Sequence, residues 1–418
     1  MFNCISSRRR KHLASARVCE RGNGISICVT AIAAVSVGFI TCARATAEDA
    51  APRLTRAVAE LPADASVFEL PQGTYTIGST WTIPRAGITI RGAGVGKTVL
   101  VRDANFKGPL INMNGEASMI TALTIDGNCQ RQEKTAPELS LHGAKDIAEV
   151  VEVKNFCHIG IAVFASECRV SRCIITGLGD PAIQNIGIWR DAGRLPTSAA
   201  ITLDHNVVKD IGLNGIYCTG GKITIADNQL SGNHSYTKVG GGQIDIGNAF
   251  TTNTDALITG NTILNGGGIK TGGMELGGGT FTIRNNTVRG HGSGGIGIGH
   301  NVIRATISGN VISNCGRNIA EKNSPQDRSG VYVGYGAANV EISDNRCFDD
   351  QPGKTQTFGI ILVGPPARPD SRFSPKAIEH LAIKGNDLRG NVHAIGLLDQ
   401  SHARDRSISG NLPAEANR

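Results

Sequence analysis

The sequence predicts an all-β chain folded as a parallel β-helix with three short strands per coil. One observation is a repeated station of the form Ile-x-x-Asn, and a second is that 54 of the 418 residues are glycine. From residue 206 onward the stations are separated by 22, 33, 25, 24, 35, 41 and 25 residues. The steps of 22–25 residues define one unit, and the longer steps indicate the same unit with an inserted loop.

Each unit contains three short apolar segments separated by glycine and asparagine, which is the pattern of one β-helix coil. The stations end at Asn128, Asn206, Asn228, Asn261, Asn286, Asn310, Asn345, Asn386 and Asn411. Weaker copies have Phe156 and Cys173 at that place. Because glycine and asparagine tolerate left-handed backbone conformations, we expect these residues to form the corners of the coils. The asparagines are expected to stack as one column inside a turn.

The stretch RGAGVGKTVLV, residues 91–101, has some features of a nucleotide-binding phosphate loop. Such a loop needs four residues between its first glycine and Gly-Lys-Thr, and it joins a strand to a helix. Here Gly92 lies one residue too close to Gly96, and both flanks have the composition of strands. We therefore predict a turn between two strands, with Lys97 exposed and no nucleotide bound.

Residues 1–47 have the features of an export signal. A basic segment from Arg8 to Lys11 precedes an apolar run from Ile25 to Thr41, and small residues around Ala45 offer cleavage sites. The sequence thus predicts a periplasmic or secreted protein with no membrane span after signal cleavage. An uncleaved membrane anchor remains the alternative, because the apolar run approaches the length that spans a bilayer.

The net charge excludes one class of function, and the cysteine content leaves the disulfides open. Residues 1–47 hold seven of the 42 Lys and Arg and one of the 35 Asp and Glu, so 35 basic and 34 acidic residues follow them. A nearly neutral chain without a basic patch is not expected to bind nucleic acid. Seven cysteines remain after the leader, and their odd number and irregular spacing leave the disulfide pairing undetermined.

The chain resembles the right-handed parallel β-helix proteins of the pectate-lyase-like superfamily. The resemblance rests on the opening segments from Phe68 to Tyr75 and from Ile88 to Gly94, and it extends over nearly the whole chain after the leader. It implies a right-handed parallel β-helix over residues 67–411, preceded by a cap segment over 48–66 and followed by a tail over 412–418. Leu54, Val58 and Leu61 have helical spacing and predict an amphipathic helix that covers the open end of the stack.

The third strand of each unit reads Gly-apolar-x-apolar, and x is expected to face outward. These positions, named the outer column here, are Trp189, Tyr217, Asp245, Glu275, Gly297, Tyr332, Ile361 and Gly396. Aromatic rings can stack on sugars, and two carboxylates on adjacent coils, ~5 Å apart, can divide acid and base roles in glycan cleavage. We expect Asp245 and Glu275 to be catalytic or to hold Ca²⁺, and Gly297 to leave room for the glycan.

Further candidates come from charged residues close to the outer column in sequence. Lys270 and Arg284 are candidate catalytic bases, and His291 and His300 join Trp189, Tyr217 and Tyr332 as candidate substrate-binding residues. The inserted loops lie near residues 231–242, 317–329 and 352–357 or 364–377. They fall mostly just before third strands, and insertions in repeat proteins tend to gather on the binding face.

Three functions are compatible with this pattern. The first is a monomeric lyase or glycoside hydrolase acting on an acidic or pectin-like polysaccharide. The second is a β-helix that binds glycan without cleaving it, and the third is an assembly or maturation factor of the cell envelope. The clustered acids and aromatics favour the first.

Overall fold

The computed structural model describes residues 48–130, 135–180, 182–191, 198–234, 241–247, 253–266, 271–299, 301–317, 325–334, 336–364, 377–397 and 403–417. The proposed export signal, residues 1–47, lies outside these ranges. Helix α1 (Ala51–Ala59) comes first, and its Leu54 and Val58 are buried against the first coil. The predicted capping helix is therefore confirmed. No helix among the described residues is long and apolar enough to span a membrane.

Strands are numbered β1–β34 in chain order. Within the described residues, twelve strands pair in parallel to form one sheet, named the third-strand sheet. They are β3 (Trp81–Ile83), β6 (Ile111–Met113), β8 (Leu139–Leu141), β10 (Ile159–Val163), β13 (Ile186–Asp191), β16 (Ile216–Thr219), β19 (Gly241–Ile246), β22 (Thr271–Leu276), β25 (Ile296–Ile298), β28 (Ser329–Val333), β31 (Phe358–Leu362) and β33 (His393–Leu397).

The other 22 strands described form a second parallel sheet that carries the first and second strands of each coil. First strands are β1 (Val67–Leu70), β4 (Thr89–Gly92), β11 (Cys168–Ser171), β14 (Ala200–Asp204), β17 (Gly221–Ala226), β20 (Thr254–Thr259), β23 (Gly279–Arg284), β26 (Val302–Ser308), β29 (Ala338–Ser343), β32 (Ile378–Lys384) and β34 (Ala403–Ser409). Second strands are β2 (Gly73–Ile77), β5 (Thr98–Arg102), β12 (Ile174–Thr176), β15 (Val207–Lys209), β18 (Gln229–Ser231), β21 (Thr262–Leu264), β24 (Thr287–Arg289), β27 (Val311–Ser313) and β30 (Arg346–Phe348). The long strands β7 (Met119–Asp126) and β9 (Ile147–Lys154) each supply both the first and the second strand of their coil.

Each strand pairs in parallel with its counterpart one coil later, as β14 pairs with β17 and β17 with β20. The inward side chains form one continuous apolar core along the stack. Two 3₁₀ turns, Pro325–Arg328 and Ala414–Asn417, complete the elements described. The predicted parallel β-helix is confirmed.

A ladder of asparagine side chains lines the corner between the first and second strands. From the second member onward, each Oδ1 accepts the backbone N–H and the Nδ2–H of the asparagine one coil earlier, at 2.9–3.0 Å. The members are Asn206, Asn228, Asn261, Asn286, Asn310, Asn345, Asn386 and Asn411. Asn417 accepts from Asn411 and ends the ladder. The predicted stacked column is confirmed for these eight stations.

The ninth predicted station, Asn128, is not in the ladder. In the early coils the corner residues with positive φ are Ala122 and Val150, inside the long strands β7 and β9. Asn128 instead lies exposed at the second corner, after the second strand, with φ 50°. Asn128 matches the Ile-x-x-Asn pattern because an apolar residue of the second strand also lies three positions before its corner, as in the first strand. Phe156 also lies at that second corner, beside Asn155 with φ 52°.

The segment that looks like a phosphate loop is a turn between β4 and β5. Lys97 is exposed, Gly96 has φ 74°, and strand β5 begins at Thr98. The Thr98 hydroxyl accepts the Ala93 N–H at 2.8 Å, which closes the turn. The glycines therefore serve the backbone of a strand connection, as predicted.

One disulfide is present among the described cysteines, between Cys129 and Cys157, with 5.6 Å between their Cα atoms. The other described cysteines are buried free thiols: Cys168, Cys173, Cys218, Cys315 and Cys347. Burial raises the pKa of each of these thiols well above its usual value, so they remain protonated packing groups.

Candidate active site

The third-strand sheet aligns the outer column in the predicted register. Successive Cα partners are Trp189 and Tyr217, Tyr217 and Asp245, Asp245 and Glu275, Glu275 and Gly297, Gly297 and Tyr332, Tyr332 and Ile361, and Ile361 and Gly396. Trp189 takes the outward place because Ile188 and Arg190, on either side, are both fully buried. Ile361 differs from the expectation, because its side chain is fully buried.

Asp245 and Glu275, the acid pair, lie side by side at the middle of this column. They are register partners on β19 and β22, and both side chains are half-buried. Adjacent parallel strands are ~4.8 Å apart, so the two carboxyl groups belong to one site on one face. Gly272 leaves room for Glu275, since a Cβ there would lie 2.9 Å from the Glu275 Oε1.

Tyr332 covers the position that was expected to be open. Its ring lies across Gly297, where an added Cβ would meet ring atoms at 2.4–2.6 Å. From there the Tyr332 hydroxyl donates a hydrogen bond to Glu275 Oε2. The absence of a side chain at Gly297 therefore admits the tyrosine ring, and the expectation that it leaves an open gap for glycan is wrong.

Burial changes the protonation of the acid pair. Desolvation raises the pKa of Asp245 to about 7, although a hydrogen bond from Asn214 opposes the shift. Desolvation raises the pKa of Glu275 to about 8, opposed by the Tyr332 hydrogen bond and reinforced by the charges of Asp245 and Asp327. Because burial disfavours the charged form of both carboxyl groups and like charges on adjacent strands repel, the pair retains a proton near neutral pH.

Two polar residues near the acid pair were not identified from the sequence. Asn214 Nδ2 lies 3.4 Å from Asp245 Oδ2 and 2.9 Å from the Gly242 carbonyl, to which it donates. Asp327, in the turn before β28, accepts a hydrogen bond of 2.7 Å from the Ser293 hydroxyl. Asp327 falls within the insertion at residues 317–329, whose place before a third strand was the available signal.

His291 does not reach the outer face and is not a substrate-binding residue. Its side chain is fully buried at the second corner, and Nε2 lies 3.2 Å from the Ile263 carbonyl of the preceding coil. Asn233 and Asn391 occupy the same place in their coils and donate to the carbonyls of Val208 and Cys347. His291 is therefore an internal corner residue, and burial lowers its pKa to about 4.

Arg284 is also separated from the acid pair. It is exposed at the far end of β23, in the sheet that carries first and second strands. Because a strand rises ~3.3 Å per residue, that end lies ~16 Å along the strand from the edge nearest to β22. The prediction that Arg284 acts as a catalytic base is therefore wrong. Lys270 and His300 lie outside the described residues, and their predicted roles stay predictions.

The acid pair does not fit a calcium site. Ca²⁺ takes six to eight oxygen ligands, mostly from ionised carboxylates and carbonyls. Here the Tyr332 hydroxyl already donates a hydrogen bond to one oxygen of Glu275. In the part of the chain that the structure covers, no group of three or more His, Cys, Asp or Glu side chains could hold a metal ion.

Comparison with known proteins agrees with this architecture. Residues 186–364 match the family model described as a right handed beta helix region. No curated protein sequence shows significant similarity to the chain.

Several solved structures are similar in fold. The A-module of the Azotobacter vinelandii mannuronan C-5 epimerase AlgE6 has 15% identity over 88% of this chain and 95% of that module, with a TM-score of 0.61. The Dettilon tailspike protein has 14% identity over 86% of this chain and 68% of that one, with a TM-score of 0.61. The alginate lyase AlyF-OU02 in complex with G6 has 15% identity over 86% of this chain and 81% of the lyase, with a TM-score of 0.57.

At these identities the similarity establishes the fold. The chain has a right-handed parallel β-helix fold, as the sequence resemblance implied.

Proposed function

We propose that this protein is a glycoside hydrolase that binds a neutral polysaccharide along the outer face of the third-strand sheet and cleaves it at the acid pair. The observation that carries the proposal is the side-by-side placement of Asp245 and Glu275, half-buried and flanked by Tyr217 and Tyr332 on the same sheet. The similar structures include an alginate lyase in complex with G6 and a mannuronan epimerase, and this supports a glycan as the ligand.

The charge around the site favours a neutral glycan over the acidic one expected from the sequence. Asp245 and Asp327 both act on Glu275 through their negative charges. Among the residues described, the Asp245 and Glu275 carboxyls form no ion pair with a Lys, Arg or His. A uronate would meet repulsion here, and elimination at a uronate requires its carboxylate to be neutralised. Hydrolysis of an uncharged sugar needs no such neutralisation.

We assign the two acids different roles in the reaction. Glu275, whose pKa is raised by burial and by the charges of Asp245 and Asp327, protonates the leaving glycosidic oxygen. Asp245, which lies within reach of the Asn214 amide, is the carboxylate that attacks the anomeric carbon as the leaving oxygen departs with the proton. Glu275, then ionised, takes a proton from water as that water displaces Asp245 from the glycosyl ester. Retaining glycosidases have carboxyl groups ~5 Å apart, the separation that adjacent coils provide.

The experiment is a substrate panel with the purified chain from residue 48 onward. Soluble β-glucan, galactomannan and xylan represent neutral polysaccharides, and pectate and alginate represent uronate polymers. New reducing ends measure any cleavage, and the ultraviolet absorbance of an unsaturated sugar distinguishes elimination from hydrolysis. The proposal expects reducing ends from a neutral polymer without unsaturated product. Unsaturated product from pectate or alginate would contradict it and favour a lyase.

One observation favours a second candidate, a β-helix that binds glycan without cleaving it. The Tyr332 ring fills the space above Gly297 and lies against Glu275, which restricts approach to that carboxyl from one side. Under this alternative, a polymer would slow the migration of the protein in an affinity gel while no reducing ends appeared.

Export is part of the proposal, because a polysaccharide substrate lies outside the cytoplasm. The basic and apolar segments of residues 1–47 support it. N-terminal sequencing of protein recovered from the periplasm or the culture medium tests it. A mature terminus close to Ala47 is expected, and intact protein retained in the cytoplasm would contradict export.

A further inference from the structure

We infer that three side chains near the start of the outer column, named here the aromatic ledge, form a distal subsite for the same glycan. The ledge consists of His142, Phe164 and Trp189. This inference rests on the proposed glycan ligand but not on cleavage. It assigns the ledge to a sugar ring several positions away from the bond at the acid pair.

The three rings form one surface. His142 follows β8 and Phe164 follows β10, and these strands pair in register through Leu141 and Val163. The His142 and Phe164 rings are stacked, with centroids 4.5 Å apart and planes 3° apart. Trp189 meets Phe164 edge to face, with centroids 5.5 Å apart. Aromatic rings in such contact hold each other in fixed orientations.

These rings are at the surface rather than in the core. His142 is exposed, and Phe164 and Trp189 are half-buried on the outer side of the sheet. Partial burial lowers the pKa of His142, so the imidazole is neutral at physiological pH and stacks as an uncharged ring. An uncharged aromatic surface suits the apolar face of a neutral sugar, and a neutral sugar also suits the acidic surroundings of the acid pair.

The ledge and the acid pair lie on the same sheet, several strands apart along the helix axis. Trp189 is two strands from Asp245, through Tyr217, and the strand that carries Phe164 is one further. At ~4.8 Å per strand, Phe164 lies ~14 Å from Asp245 along the helix axis and His142 ~19 Å. An extended polysaccharide with its axis along the stack would place successive rings over Tyr217 and Trp189 and then beside Phe164, which lies two residues, or ~7 Å, beyond the Trp189 partner Ala162 along the strand. The ledge therefore contacts only chains long enough to extend beyond Tyr217.

The test measures binding, so that it does not depend on turnover. Phe164→Ala and Trp189→Ala are made in a Glu275→Gln background and compared on affinity gels containing soluble β-glucan, galactomannan or xylan. The control is Phe348→Ala, which removes a half-buried ring on β30, in the other sheet. Loss of one stacked ring should weaken binding about ten-fold, from the apolar area that it covers. The Phe348 variant should bind as the parent does.

A series of oligosaccharides of increasing length sharpens the result. The two ledge variants should differ from the parent only for oligomers that extend beyond Tyr217, and Trp189→Phe should restore most of the affinity. Equal binding by parent and ledge variants, or no binding of any polymer by the parent, would overturn the inference. If ledge-dependent binding is found without cleavage by the wild-type chain, the subsite stands and hydrolysis fails. Cleavage by the wild-type chain with unchanged affinity in the ledge variants would support hydrolysis and exclude the subsite.

Discussion

Tyr332 lies across Gly297 and donates a hydrogen bond to Glu275, two strands away on the third-strand sheet. The contact needs a residue without a side chain between the two, because any Cβ at Gly297 would overlap the tyrosine ring. One glycine therefore couples an aromatic residue to the carboxyl that we propose as the proton donor. The proposed chemistry depends on this contact, and the stability of the stack depends on the asparagine ladder.

Gly297→Ala should displace the Tyr332 ring and weaken its hydrogen bond to Glu275. The new Cβ would lie 2.4–2.6 Å from ring atoms, so the ring has to move. We expect a loss of about ten-fold in kcat/KM, the change that ~1.4 kcal/mol of lost hydrogen bonding produces. Gly353→Ala is the control, because a Cβ there meets nothing within 4 Å. Equal activity of the two variants would contradict the proposed coupling.

Tyr332→Phe should raise the pKa of Glu275 further. The tyrosine hydroxyl is the hydrogen-bond donor that opposes the upward shift caused by burial. With Glu275 as the general acid, the alkaline limb of the pH profile of kcat/KM should move to higher pH. The profile on the polysaccharide that the wild type cleaves provides the measurement. A limb that stays in place or moves to lower pH would exclude Glu275 as the group that titrates there.

The acid pair should make the fold less stable as pH rises. Both folded-state pKa values, about 7 and about 8, lie above the values of ~4 expected for an unfolded chain. The folded state therefore binds more protons between pH 4 and 8, and the free energy of unfolding falls across that window. Asp245→Asn with Glu275→Gln should reduce this fall, as followed by urea denaturation at several pH values. An unchanged pH dependence would show that the pair is not buried as described.

Asn261→Ala should destabilise the protein strongly. Its Oδ1 accepts both the backbone N–H and the Nδ2–H of Asn228 inside the stack. Leaving such buried donors without an acceptor costs about 2–4 kcal/mol of unfolding free energy. Asn105→Ala, at an exposed site outside the ladder, should cost much less. Similar losses in the two variants, measured by chemical denaturation, would argue against the ladder as a source of stability.

The repeat made the fold and the outer column predictable. Inward and outward alternation and the Gly-apolar-x-apolar pattern of the third strands predict the register of Asp245 against Glu275, and no tertiary information is needed for it. The repeat could not show how far a side chain extends along the stack. Tyr332 reaches two strands to Glu275, and Asn214 approaches Asp245 from the adjacent coil.

The predictions for His291 and Arg284 were wrong because closeness in sequence does not show which face of the coil a side chain occupies. Their proximity to the outer column in sequence suggested a shared site, but one residue is in an internal corner and the other is in the second sheet. Which sheet and which side a polar residue occupies depends on its place within the coil. For His291, alignment with Asn233 and Asn391, which hold the same place in other coils, would have indicated an internal corner residue.

The most direct test of the central claim is cleavage by Asp245→Asn and Glu275→Gln. Each purified variant is incubated with the neutral polysaccharide that the wild type cleaves, and new reducing ends are measured together with the thermal unfolding midpoint. We predict that each variant loses cleavage by at least about a hundred-fold while remaining folded, because one lacks the general acid and the other lacks the attacking carboxylate. Full activity in both folded variants would contradict the claim that these two carboxyl groups carry the reaction.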